Sequence, residues 1–113
     1  MLKPNILRNK KDFTALYNKG KSVGGRYVVI FYRKNGLSFS RKAFLASKKV
    51  GNAVKRNRAR RLMKESCRML EGSFKSGYDL IFIARNTINN TKCADVKKSI
   101  EAAMKRVDLL ERK

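Results

Sequence analysis

Histidine is absent from this chain of 113 residues, and only eight acids face 29 lysines and arginines. The side chain that most often moves protons near neutral pH is therefore missing. The few acids include no close pair within the basic part of the chain. Hydrolysis of a phosphodiester by protein groups normally needs carboxylates holding metal ions or a positioned base, so a nuclease acting alone has little to work with. The two cysteines, Cys67 and Cys93, are too few and too distant in sequence for a zinc site. A disulfide between them is disfavoured in a cytosolic protein. Cys67 falls on the apolar side of an expected helix, where a small buried thiol is the usual outcome. No P-loop or GxGxxG motif occurs. No apolar run approaches the ~20 residues that span a bilayer, and the opening MLKPNILRNKKDF lacks the apolar stretch of a secretory signal. These absences point to the cytoplasm and away from a membrane.

What is present is charge, formally +21. Self-repulsion of that size works against a compact chain unless a polyanion is nearby. Its distribution says more than its size. From Phe13 to Lys64 there is no acid, while fifteen lysines and arginines fall in that stretch. Five of the acids (Asp79, Asp95, Glu101, Asp108 and Glu111) come after residue 75. Fields from exposed charges fade over roughly 8 Å at physiological salt, so a clustered patch binds better than the same charges scattered. A generically solvated surface is the bland alternative. A membrane-surface role is weaker, because the apolar side of the basic helix is wide enough to be a core face. Nucleic acid is the favoured partner. The length suits one domain, 1–113, burying roughly 65% of its unfolded surface, and a 42% hydrophobic composition can fill its core.

Residues 1–8, with the only proline, Pro4, suggest a loosely held arm. Lys11 to Asn18 predicts a short helix with Asp12 in its first turn and a Phe13, Leu16, Tyr17 stripe; Gly20 ends it. After Gly24-Gly25, residues 26–33 are β-branched and aromatic, a strand pattern. Asn35-Gly36 is a strong two-residue hairpin turn, so a returning strand is expected at 39–47, central because 43–46 are apolar on both faces. Asn52 suits an N-cap and Gly72 a helix end. Between them, at 100° per residue, Ala59, Leu62, Met63, Ser66, Cys67 and Leu70 share one side of a helix. Asn57, Arg60, Arg61, Lys64 and Arg68 share the other, with Arg58 at its edge. Cations crowded into the first turns oppose the helix dipole and repel one another; an anion alongside would relieve both costs. Residues 78–84 predict a buried strand and 94–110 a last helix with Val96, Ile100, Ala103, Met104 and Val107 inward. Strand, helix and strand over 39–84 can give a parallel pair.

The block SKKVGNAVKRNRARRLMK at 47–64 resembles the signature of the bacterial ribonuclease P protein subunit family. That signature centres on Arg56-Asn57-Arg58, followed by Arg60 and Arg61. The likeness covers nearly the whole chain: Lys11-Asp12-Phe13 with Tyr17 match the family's first helix, 26–32 its first strand, and IFIAR at 81–85 its late strand and following arginine. The resemblance implies an α+β fold of order α-β-β-α-β-α, with room for one more strand, around one mixed sheet. It further implies likeness to a domain of ribosomal protein S5 and a left-handed βαβ crossover. The activity implied is endonucleolytic removal of the 5′ leader from precursor tRNA, carried out by a catalytic RNA using Mg2+. No protein partner is required. By the same resemblance Arg56, Asn57, Arg58, Arg60, Arg61, Lys64 and Arg68 would lie against the catalytic RNA. Phe13, Tyr17 and Phe31 would receive the single-stranded leader, with Lys48 and Lys49 touching its phosphates. Arginine suits bidentate phosphate contact, and stacking on rings tolerates any base. Tyr17 stands where phenylalanine is common, and Arg60 where lysine is; stacking and charge survive both changes.

On the residues alone, Phe13 and Tyr17 at i, i+4 are more often core than a platform for bases, and Phe31 has an equal core alternative. A structural nucleic-acid-binding protein, such as a small ribosomal protein, shares these electrostatics without a leader groove.

Overall fold

Residues Tyr78–Ala84 (β4) form the strand about which the others are arranged: Leu80, Ile81 and Phe82 are each no more than 1% exposed. A strand sealed on both faces belongs inside a sheet. The computed structural model describes residues 6–7 and 10–111. Before β4 come α1 (Lys10–Lys19), β1 (Lys21–Gly24), β2 (Val28–Lys34), β3 (Arg41–Leu45) and α2 (Ala53–Met69); after it come a single 3-10 turn (Asn86–Ile88) and α3 (Cys93–Arg106). The sheet order is β1-β2-β4-β3. β1 and β4 each pair antiparallel with β2, and β3 runs parallel to β4. The expected α+β class, the single mixed sheet and the parallel pair across α2 are all present, and the further strand is β1.

The expected hairpin through Asn35-Gly36 does not form, and β3 is not central. Asn35-Gly36 does turn the chain, with Gly36 at φ 74° and the Leu37 N–H donating to Asn35 Oδ1 at 2.8 Å. But the Asn35 amide group donates to Asp79 Oδ1 at 3.0 Å, and β4 enters between β2 and β3. Burial decides the order. β3 carries Arg41 and Lys42, which an edge position keeps near water, whereas β4 is apolar on both faces. The hairpin that does form joins β1 to β2, closed by Gly25 N–H donating to the Val28 carbonyl at 2.8 Å.

The outer rim of β3 is covered by the N-terminal segment. Ile6 bridges to Lys42, the Leu7 N–H donates to the Lys42 carbonyl at 2.9 Å, and Leu7 is buried. At these two residues the expected loose arm is tied down; residues 1–5 and 8 of it lie outside the described residues.

The two sheet faces are covered unequally. Val28, Ile30, Leu80, Phe82 and Ala84 pack under α2 and α3, against Ala59, Met63, Cys67, Ile100 and Met104. Ile81 and Ala43 on the other face meet Leu16 and Leu7. Leu16 is the only fully buried residue of α1, and its burial contributes roughly 1.5–3 kcal/mol. A ten-residue helix cannot roof a four-stranded sheet, so Phe31, Leu45 and Ile83 stay half-buried on that face. A Cβ at Gly20 would collide with the Leu16 carbonyl, so glycine there lets the chain pass directly from α1 into β1. α3 ends earlier than expected, at Arg106, because Asp108 takes φ 59° and Leu110 bridges back to Phe74. No helix among the described residues is long and apolar enough to cross a membrane.

Candidate nucleic-acid interface

α2 begins where its cap is expected: Asn52 Oδ1 accepts the Lys55 N–H at 3.0 Å. Ala59, Met63, Ser66 and Cys67 face the core, and Leu62 is half-buried. Burial pushes the Cys67 thiol up to about 12, so it stays protonated and inert. The opposite side carries Lys55, Asn57, Arg58, Arg61, Lys64 and Arg68, all exposed, with Arg56 and Arg60 half-buried. From Ala53 to Lys64 no acid interrupts it.

These cations differ in how they are held. The Arg58 guanidinium donates to the Thr91 carbonyl, pinning the second turn of α2 to the loop after β4. Arg60 donates to Asn57 Oδ1. Arg68 is paired with Glu65, its Nε 3.0 Å from Oε2; the pairing holds the Glu65 carboxyl below its ordinary range. Arg56 Nε is buried without a partner among the described residues. Arg61 and Lys64 carry no side-chain bond within the described residues, so their full hydrogen-bonding capacity faces solvent.

Lys64 lies over a groove of about 480 Å³ at the β3 edge, which it shares with Phe13, Lys42, Ala43, Phe44 and Leu45. Phe13 is half-buried, with one side packed into the smaller core cluster. Tyr17, 43% exposed, meets Phe31 edge-on at 5.1 Å and 81°. This second pair of rings lies on the same sheet face but outside the groove lining. Burial raises the Tyr17 hydroxyl above its ordinary value, and it stays neutral. Lys48 and Lys49 are exposed in the turn before α2 and do not line the groove. Thus Phe13 and Lys64 are brought together, Tyr17 and Phe31 stand beside them, and Lys48 and Lys49 stand apart.

Sequence reasoning missed Lys42, Phe44 and Leu45 as lining residues, because it placed β3 inside the sheet. It also missed what fixes α1. Arg41 donates to Asp79 through Nε (2.8 Å) and Nη2 (2.7 Å), and to Asp12 through Nη1 (3.2 Å). Asp12 precedes Phe13, so this cation ties the ring-bearing turn of α1 to both β3 and β4. The Asp79 hydrogen bonds hold the Arg41 guanidinium above its ordinary value.

Fold and surface together define a class: a small α+β protein that presents one acid-free helical stripe of cations beside a groove bearing an aromatic ring, as suits contact with a polyanion. A family model for Ribonuclease P matches residues 1–108. The chain belongs to this family of ribonuclease P protein components. It is 42% identical over 104 residues to the ribonuclease P protein component of Clostridioides difficile, covering 91% of each chain. It is 39% identical over 105 residues to that of Pelotomaculum thermopropionicum, covering 93% of this chain and 94% of the relative. Among solved structures, the RNase P protein of Staphylococcus aureus superposes with a TM-score of 0.85 at 28% identity, covering 96% of this chain and 100% of that one. The RNase P protein of Thermotoga maritima superposes with a TM-score of 0.81 at 30% identity, covering 89% and 96%. Family membership makes this chain a protein component of an endoribonuclease complex.

Proposed function

We infer that this chain holds RNA for a ribozyme: α2 lies against the catalytic RNA subunit, and the groove beside it receives the 5′ leader of precursor tRNA. The observation that carries this reading is the meeting of Lys64 and Phe13 in one groove, where cationic and aromatic sets adjoin. Arg61 and Lys64 take phosphates directly. Arg58 and Asn57 are partly committed within the protein and orient the helix as much as they bind; Arg56, Arg60 and Arg68 add positive potential along it. Phe13 stacks on a leader base, with Tyr17 and Phe31 as the next platform. Stacking is indifferent to base identity, which suits an enzyme meeting many leaders. Lys48 and Lys49 extend the cationic path beyond the groove.

The protein breaks no bond in this scheme. Among the described residues no three histidines, cysteines or acids gather to hold a metal ion, and Asp12 and Asp79 are both engaged by Arg41. The Mg2+ implied for this chemistry is assigned mainly to the RNA and its substrate. Reconstitution tests the division of labour, with no other protein needed. The purified chain with Mg2+ should leave precursor tRNA uncut, and adding the cognate RNA subunit at low salt should restore 5′ processing. Cutting by RNA-free protein would overturn the proposal.

A further inference from the structure

We propose a second, separate phosphate-binding site for structured RNA, in the pocket formed by Lys19, Lys21, Arg33, Lys34, Tyr32 and Tyr78. This inference rests on the RNA-holding function above and adds a contact that function does not require. The pocket measures about 260 Å³. Its four cations are exposed, and none has a side-chain partner among the described residues. No acid lines it. Tyr32 and Tyr78 pack their rings into the larger core cluster, while neither hydroxyl has a hydrogen-bond partner among the described residues. Two ring-anchored tyrosines with unpartnered hydroxyls line one pocket together with four unpaired cations, a donor set suited to a phosphodiester. Other hollows on this basic surface differ. The one beside Arg26 and Lys98 includes Asp95, and the one beside Phe39 and Phe74 includes Glu71 and Glu111. Those carboxylates disfavour an anion.

Position separates this site from the start of α2. Tyr78 opens β4, whereas Arg58 of α2 is pinned to Thr91, beyond the other end of that strand. The seven residues of β4 separate the two by on the order of 20 Å at ~3.3 Å per residue. The pocket also sits toward β1, at the opposite edge of the sheet from β3, and its tyrosines lie on the face away from Phe13 and Phe31. That spacing exceeds the roughly 8 Å screening length, so the pocket and the start of α2 bind phosphates independently and their salt dependences add, while Lys19 and Tyr32 place the pocket beside the Tyr17–Phe31 ring pair.

The test measures the affinity of the full chain for the ribonuclease P RNA subunit across salt concentrations, and separately that of the assembled complex for leader-bearing precursor tRNA. Lys21→Ala with Lys34→Ala should flatten the log–log salt slope by about two units in one of these arms, which identifies the RNA that fills the pocket. Lys21→Arg with Lys34→Arg should restore it. Lys98→Ala with Lys105→Ala, removing two charges from α3, should leave both slopes unchanged. An unaltered slope in both arms for the Lys21 and Lys34 variant, with Arg61→Ala still flattening it, overturns the second site alone. An unaltered slope for Arg61→Ala as well overturns the RNA-holding function with it. Equal flattening by the α3 variant would reduce the pocket to net charge and also overturn the site.

Discussion

α2 and α3 lie side by side on the same sheet face and bury the same kind of stripe, yet their exposed sides obey opposite rules. α3 has Asp95 in its first turn and Lys105 and Arg106 in its last, and Asp95 Oδ2 accepts the Lys92 N–H at 3.1 Å. Every one of these charges favours the helix dipole. α2 has no acid in its first turn and sets Lys55 and Arg56 there against that dipole, though Arg68 in its last turn favours it. At about 0.3–1 kcal/mol for each terminal charge, α2 forgoes roughly 1–2 kcal/mol that α3 keeps. Inner faces answer to the fold; the first turn of α2 is not arranged for the helix's own stability.

If the cations of α2 serve a ligand, the ring sharing a groove with Lys64 serves it too. Phe13→Ala should weaken binding of leader-bearing precursor tRNA by about 1–3 kcal/mol per lost stack, while mature tRNA binds almost as before. Equal losses for both, or unfolding seen by circular dichroism, would return Phe13 to the core. The inner face of α2 should behave as ordinary core. The Cys67 thiol is held up at about 12 against an ordinary 9.0. Between those values the native chain keeps a proton that the unfolded chain has released. Stability should therefore fall as pH rises past about 9, by about 1.4 kcal/mol per unit from this group. Denaturant titrations of wild type and Cys67→Ala at pH 8 and pH 10 check this; parallel losses would acquit the thiol. The smallest effect probes the contrast itself. Lys55 stands three residues after the Asn52 cap, the place Asp95 holds after Lys92. Lys55→Glu should raise stability by about 0.5–1 kcal/mol and lower RNA affinity. A fall in stability would show that α2 bears no such cost.

What could be foreseen followed the reach of each signal along the chain. Asn52, the two sides of α2 and the buried character of β4 are local patterns, repeating every few residues, and they stand as expected. Strand order is not local. Asn35-Gly36 is a sound turn, but whether β2 and β3 then pair depends on β4, which arrives only at Tyr78. The same distance hid Arg41, whose carboxylate partners stand 29 and 38 positions away. It also hid Leu7, which reads as part of a polar arm until the edge of β3 is there to receive it. The likeness at 47–64 supplied the family because eighteen consecutive residues carry it; the groove needed three dimensions.

Arg41, shared by Asp12 and Asp79, gives α1 an ionic clasp beside its apolar contacts through Leu16, Phe13 and the Tyr17–Phe31 ring pair. Those contacts fix where the helix sits on the sheet, and with it where its two rings stand. The position of the Phe13 ring is therefore set in part by a guanidinium that does not itself line the groove. A change at residue 41 should therefore shift the Phe13 ring without altering the residues that line the groove.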